Sequence, residues 1–194
     1  MSKLKLYYPV KPWIVTQQFG EVANLSFYKK NNINITGHNG IDALTKHGQP
    51  VYAAHSGICY PGVDNKEGHG VVIRSEVPHE YNGEMVHMKS VYWHLVKGSA
   101  TVKTGDRVQT GDLIGYADST GLSTGDHLHF SIKPQLWNEN DWIWYNLEQS
   151  NGMMGAVDPN PYFTKEYAID VKIITIQEKL VELLKLLIEK LSKK

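Results

Sequence analysis

The sequence predicts a mostly β fold, a small antiparallel β barrel or sandwich with an aromatic-rich insert and a C-terminal α-helix. Three observations predict it. Short apolar runs, rich in β-branched and aromatic residues, recur from residue 41 to about 132. Glycine turns separate them. Over residues 170–194 the apolar spacing changes to alternating steps of three and four, the signature of a helix.

Taken in order, residues 13–19 (WIVTQQF) read as a short strand ending at Gly20, and residues 29–34 (KKNNIN) as a loop. Strands follow at 51–54, 57–60, 71–73, 91–95, 113–116 and 127–132, with turns at 102–106 and 109–112. Residues 134–160 hold Trp137, Trp142, Trp144, Tyr145, Met153 and Met154 among Asn and Gly. They read as a long irregular connection that either covers a sheet edge or walls a substrate groove. In the terminal segment Ile173, Ile176, Leu180, Leu183 and Leu187 form one stripe, and Ile174, Val181, Leu184, Ile188 and Leu191 a second beside it. That face is wider than a two-stranded seam needs. It predicts docking on the domain's own core or self-association through this helix, with a membrane-surface anchor as the sharper alternative. The resulting organisation is an N-terminal segment at 1–35, one domain at 36–163 and an amphipathic helix at 170–194.

Composition narrows the function classes. The chain has 194 residues, the size of one domain with a short appendage. Twenty acidic and twenty basic residues cancel, with no run of five or six like charges, so nucleic acid is not an expected partner. No stretch reaches eighteen consecutive apolar residues, so no stable membrane insertion is expected. The first ten residues carry charge but no apolar core or cleavage site of a leader, so no export signal is expected, and a role outside the cytoplasm would need something else to release or carry the chain. The single Cys59 lies in an apolar stretch and reads as a buried small hydrophobe, which leaves no paired thiols for a disulfide or a sulfur-ligated metal.

Two motifs carry chemistry. Residues 37–42 (GHNGID) place His38 four residues before Asp42, and residues 125–130 (GDHLHF) place His127 two residues before His129. Together they offer two imidazoles and one carboxylate for a metal, with one imidazole left over. That is the ligand count of a catalytic zinc site, which keeps its fourth position for water. Even offsets share a strand face, whereas an offset of two on a helix diverges by about 200°. The pattern therefore points to a metal built on strands, with Leu128 turned into the core. Imidazoles with one carboxylate suit zinc and are too oxygen-poor for calcium or magnesium. His94, in Tyr-Trp-His-Leu, lies between the motifs and is available to the chemistry. His47, His55, His69, His79 and His87 share no such spacing and read as surface or loop histidines.

These residues, with GQPVYAA at 48–54, GHGVVI at 68–73, VKTGDRV at 102–108, TGDLIG at 110–115 and STGLSTGDHLHF at 119–130, resemble the lysostaphin-like (LytM-type) M23 peptidases. The likeness covers about residues 36–133 and extends to VDPNPYF at 157–163. It implies a LytM-type β fold and zinc ligation by His38, Asp42 and His129. It also implies catalytic roles for His94 and His127, without settling which is the general base. The implied activity is that of a zinc metalloendopeptidase hydrolysing stem peptides or cross-bridges of bacterial peptidoglycan at the cell wall. With no visible leader, the expectation is a phage-type endolysin, cytoplasmic until released, or a virion-associated wall enzyme. The tryptophan-rich insert is longer than in the simplest members, and it bears on substrate choice. Two other classes compete. One is a non-catalytic peptidoglycan-binding or regulatory module on the same fold. The other is a carrier-type β barrel, which shares the glycine turns but has no use for the paired histidine motifs.

Overall fold

The computed structural model describes residues 3–139 and 143–192. Trp142, counted above in the insert, lies outside the described residues. The elements are β1 (Leu6–Tyr8), β2 (Val15–Gln17), α1 (Leu25–Lys30), β3 (Ile41–Leu44), β4 (Pro50–Tyr52), β5 (Gly57–Asp64), β6 (Gly68–Arg74) and β7 (His79–Tyr81). They continue with β8 (Glu84–Leu95), β9 (Arg107–Val108), β10 (Leu113–Tyr116), β11 (His127–Asn138), β12 (Ile143–Asn146), β13 (Phe163–Tyr167) and α2 (Ala168–Ser192).

One long antiparallel sheet runs β2-β3-β11-β8-β6-β5-β9, with β12 added to β11 and β7 to β8. Two smaller pairings, antiparallel β4–β10 and parallel β1–β13, complete the described sheets. Successive strand residues face opposite ways, and the sequence exploits that. On β11, Leu128, Phe130 and Ile132 are fully buried in the core with Tyr92, Ile73 and Val71. His127, His129, Ser131 and Lys133 take the other face. Burying a phenylalanine contributes roughly 1.5–3 kcal/mol, so this strand is held by its core side and is free to carry polar groups on the other. Trp13, Phe130, Phe163 and Tyr8 stack in one cluster with ring centroids 4.8–6.4 Å apart. This cluster ties the first strand and the last to the centre of the sheet.

Several expectations need correction. Lys29 and Lys30 close α1 rather than opening a loop. The stretch after residue 134 is not irregular throughout. β11 continues to Asn138 and pairs with β12 as a hairpin, Leu136 opposite Tyr145 and Trp137 opposite Trp144. Aromatic and branched residues favour this pleated pairing, and Asn138 and Asn146 at its edges hid it in the sequence. His38 does not share a strand with Asp42; it comes from the loop before β3, fixed by Gly20 N donating to its carbonyl and its own N–H donating to Glu21 O. α2 does not dock on the domain's own core. Its first turn is tied down by Lys11–Asp170 and Lys172–Asp112 ion pairs. Beyond that, apolar residues from Ile173 to Leu191 are 46–68% exposed. No described helix is long and apolar enough to cross a membrane.

Cys59 is buried as expected, and burial pushes its thiol up to about 12, which leaves it inert. His47 is exposed beside Asp118. His55 is a further correction, because it is buried rather than on the surface. One ring nitrogen meets Ser56 O at 2.9 Å and the other Ser90 Oγ at 2.8 Å, in a network that reaches Tyr92. Burial pushes this imidazole down from 6.5 to about 4. The unfolded chain therefore takes up the proton first, so stability is present above pH 6.5 and is lost as pH falls to about 4. At 1.36 kcal/mol per unit the full loss is roughly 3 kcal/mol. Thermal unfolding from pH 7 to 4 should show a shallower loss in His55→Gln than in the natural chain. Parallel pH slopes in the two proteins would contradict this.

Candidate metal centre

Asp42 and His129 face each other directly across the β3–β11 ladder, and His127 sits opposite Leu44 two residues along. The loop before β3 brings His38 to the same point. His38 Nε2 lies 3.1 Å from His129 Nδ1 and 3.2 Å from Asp42 Oδ1, and His129 Nδ1 lies 2.9 Å from Asp42 Oδ1. All three residues are buried. Three donor atoms thus form a nearly equilateral triangle. The donors around a tetrahedral zinc with bonds of about 2.0–2.1 Å stand roughly 3.3–3.4 Å apart, so a small contraction separates the observed triangle from one face of that tetrahedron. His38 Nδ1 lies 3.2 Å from Gln18 O, which assigns its proton there and leaves the Nε2 lone pair aimed at the cluster. The residues fit zinc on donor type, number, spacing and tautomer.

Electrostatics agree. Burial alone would raise the Asp42 carboxyl, but the neighbouring His129 and His38 imidazoles outweigh it and hold Asp42 well below the usual carboxylate range. Burial would likewise lower His129, and Asp42 overrides it and raises the imidazole. A proton and a metal cation compete for one preformed anionic pocket.

His94 and His127 flank the triangle with ring centroids 4.5 Å apart, and His94 stands 6.2 Å from His129. His94 Nδ1 lies 2.7 Å from Thr120 O and His127 Nδ1 lies 2.8 Å from Gly125 O. Each Nδ1 proton is assigned to a backbone carbonyl, which leaves each Nε2 unprotonated; that of His127 is 3.6 Å from Asp42 Oδ2, and that of His94 is 4.0 Å from Glu67 Oε2. Burial, with His127 adding to it, pushes His94 down to about 4.

His94 reaches this side of the sheet by a backbone irregularity. Trp93 pairs with His129 and so has its side chain on the groove face. Strict alternation would turn His94 into the core. The register between β6 and β8 slips here, His69 facing Leu95 and Val71 facing Tyr92, so β8 carries one residue more than β6. His94 adopts φ 63°. This bulge re-aims the imidazole, at a cost of about 1–3 kcal/mol for a non-glycine residue in that region. Gly70 makes room for it, since a Cβ there would lie 2.1 Å from the Trp93 ring.

Gly40 is a second position that only glycine fills. A Cβ would come within 2.6 Å of His129 Cε1 and 2.7 Å of the Phe130 carbonyl oxygen. Gly40→Ala should displace the His129 ring and weaken zinc binding by roughly 10–100-fold, as loss of a supporting contact does elsewhere. Titration with a metal indicator dye checks it, and unchanged affinity would contradict the geometry.

A cavity of about 170 Å³ opens over the cluster, lined by all five of these residues and by Tyr28. Tyr28, Gln17 and Asn24 are site residues that sequence reasoning missed. The Tyr28 ring lies parallel to His38 at 6.3 Å, and its hydroxyl donates to Gln17 Oε1, which also accepts from Asn24 Nδ2. Gln17 Nε2 is buried without a partner among the described residues. No spacing in residues 1–35 signals these three, because a strand edge and a short helix bring them in separately.

The match to a known family includes all five of the clustered residues. The sequence profile of Peptidase family M23 matches residues 36–141. The chain belongs to this family of metallopeptidases. M23 relatives include the glycyl-glycine endopeptidase ALE-1 of Staphylococcus capitis, 34% identical over 56% of this chain and 28% of that protein. The peptidoglycan DD-endopeptidase ShyC of Vibrio cholerae is 34% identical over 50% of this chain and 20% of its own length. The chain thus spans well under a third of these M23 relatives. The fold is similar to the catalytic domain of lysostaphin from Staphylococcus simulans, with TM-score 0.54 and 26% identity, covering 77% of this chain and 91% of that one.

Proposed function

We propose that this M23 chain is a zinc-dependent endopeptidase that cuts peptide bonds in bacterial peptidoglycan. The observation that carries the reading is the buried triangle of His38, Asp42 and His129, with His94 and His127 lining the same cavity. The relatives' names supply the substrate class. Zinc held by the three donors would polarise a substrate carbonyl and lower the pKa of water to about 7. The chain's own residues do the rest. His38 holds its ring orientation by donating Nδ1–H to the Gln18 carbonyl, and His129 is placed by its ladder position opposite Asp42. The His94 and His127 pair takes up the proton from the attacking water, donates hydrogen bonds to the oxygen that becomes negative, and returns a proton to the leaving amine. Burial of the cluster excludes bulk water and strengthens each of these interactions.

The test is digestion of purified cell-wall sacculi by the full chain, with and without a chelator and with zinc restored. Soluble peptides should appear, vanish on chelation and return with zinc. Release that is indifferent to chelation would exclude the metal mechanism. No release under any metal condition would favour the non-catalytic module instead.

A further inference from the structure

Three cations stand side by side on the groove face, away from the metal cluster. Lys133 on β11 pairs with Lys89 on β8, and Lys89 pairs with Arg74 on β6. Adjacent strands are about 4.8 Å apart, so the three basic side chains leave the sheet as one row. Like charges directly opposite each other in a ladder destabilise it. None of the ion pairs among the described residues involves any of the three. Asp64 and Glu67 line the neighbouring cavity of about 480 Å³ with Lys133, and neither reaches ion-pair distance.

The flanking two cations are held in place. The Arg74 guanidinium lies 5.1 Å from the Tyr60 ring and 4.3 Å from the Trp144 ring, and Arg74 Nε donates to Gln135 Oε1 at 3.0 Å. Lys133 Nζ donates to Met154 O at 2.9 Å. Lys89, in the middle and half-buried, makes no side-chain hydrogen bond among the described residues. Burial lowers Lys89, with Arg74 adding to it; burial also brings Lys133 down to about 8, with Lys89 adding to it. The fold concentrates positive charge here and gives its central member no protein hydrogen-bond partner among the described residues.

We propose that Arg74, Lys89 and Lys133 form an anion subsite that takes a carboxylate of the peptide substrate. The inference rests on the peptidase reading for its ligand, because a peptide lying along β11 presents carboxylates and no phosphate. Lys133 is four residues from His129 on one strand, which is about 13 Å. An extended peptide covers that distance in roughly four residues. The carboxylate therefore belongs about four residues from the bond that is cut, on the side of the groove walled by the insert. A charge-assisted hydrogen bond to Lys89 ammonium anchors it.

Calorimetry on the full chain with chelator present reads binding without turnover. The probes are capped, glycine-rich nonapeptides carrying one Glu four residues to either side of the centre, and their Gln twins. One Glu peptide should bind at least tenfold tighter than its twin. Lys89→Met and Lys89→Gln should each abolish that preference while keeping the unfolding temperature of the natural chain. Equal affinity of Glu and Gln peptides, or no binding of either, overturns the subsite. Binding of inorganic phosphate without any peptide preference overturns the carboxylate assignment. Because no hydrolysis is measured, a charge preference without wall digestion would leave the subsite standing while the catalytic reading failed.

Discussion

His129→Ala should purify without bound zinc and should release no peptide from cell walls. His129 supplies one corner of the donor triangle and also holds Asp42 in place at 2.9 Å. Its loss leaves one imidazole and one carboxylate, too few to hold zinc in a closed three-ligand set. Asp42→Ala should behave alike, since Asp42 touches both histidines and supplies the negative charge of the pocket. Zinc content by elemental analysis, measured beside the unfolding temperature, separates loss of metal from loss of fold. Either variant retaining stoichiometric zinc would break the assignment of ligands.

His94→Ala should keep the metal and lose turnover. Its ring stands 6.2 Å from that of His129 without joining the triangle, while its Nδ1 proton is spent on Thr120 O. Removing a general acid–base group costs about 10²–10⁴-fold in rate. The position has φ 63°, which asparagine tolerates better than alanine does. His94→Asn therefore serves as a second variant with less backbone strain. Both should bind zinc as the natural chain does and show a reduced kcat. Full activity in either would remove His94 from the chemistry.

Much of this site was legible in the sequence, for a physical reason. An imidazole pair at an offset of two has one economical solution, a strand with Leu128 in the core, and β11 adopts it. The glycine turns marked the strands between residues 41 and 132 because glycine is needed where the backbone turns left-handed, as at Gly105 and Gly111. What could not be read depends on partners distant in the chain. His38 shares no strand with Asp42, and two backbone hydrogen bonds to the segment around residue 20 bring it in. His55 looked like a loop histidine because Ser90, which satisfies it, is 35 positions away. The β11–β12 hairpin was obscured because its polar residues point at one another across the ladder, as Gln135 and Asn146 do. The cation row was invisible for the same reason: Arg74, Lys89 and Lys133 are unremarkable singly and become a charge cluster only in register.

The extra residue in β8 has a consequence for protein design. Copying the five polar side chains onto a regular sheet would not reproduce this centre, because a regular sheet would bury the imidazole of His94 on its wrong side. A graft has to carry the irregular ladder as well, including the bare glycine opposite Trp93 that lets the indole settle. In this chain the placement of one imidazole is encoded in how many amino acids separate two hydrogen-bonded positions.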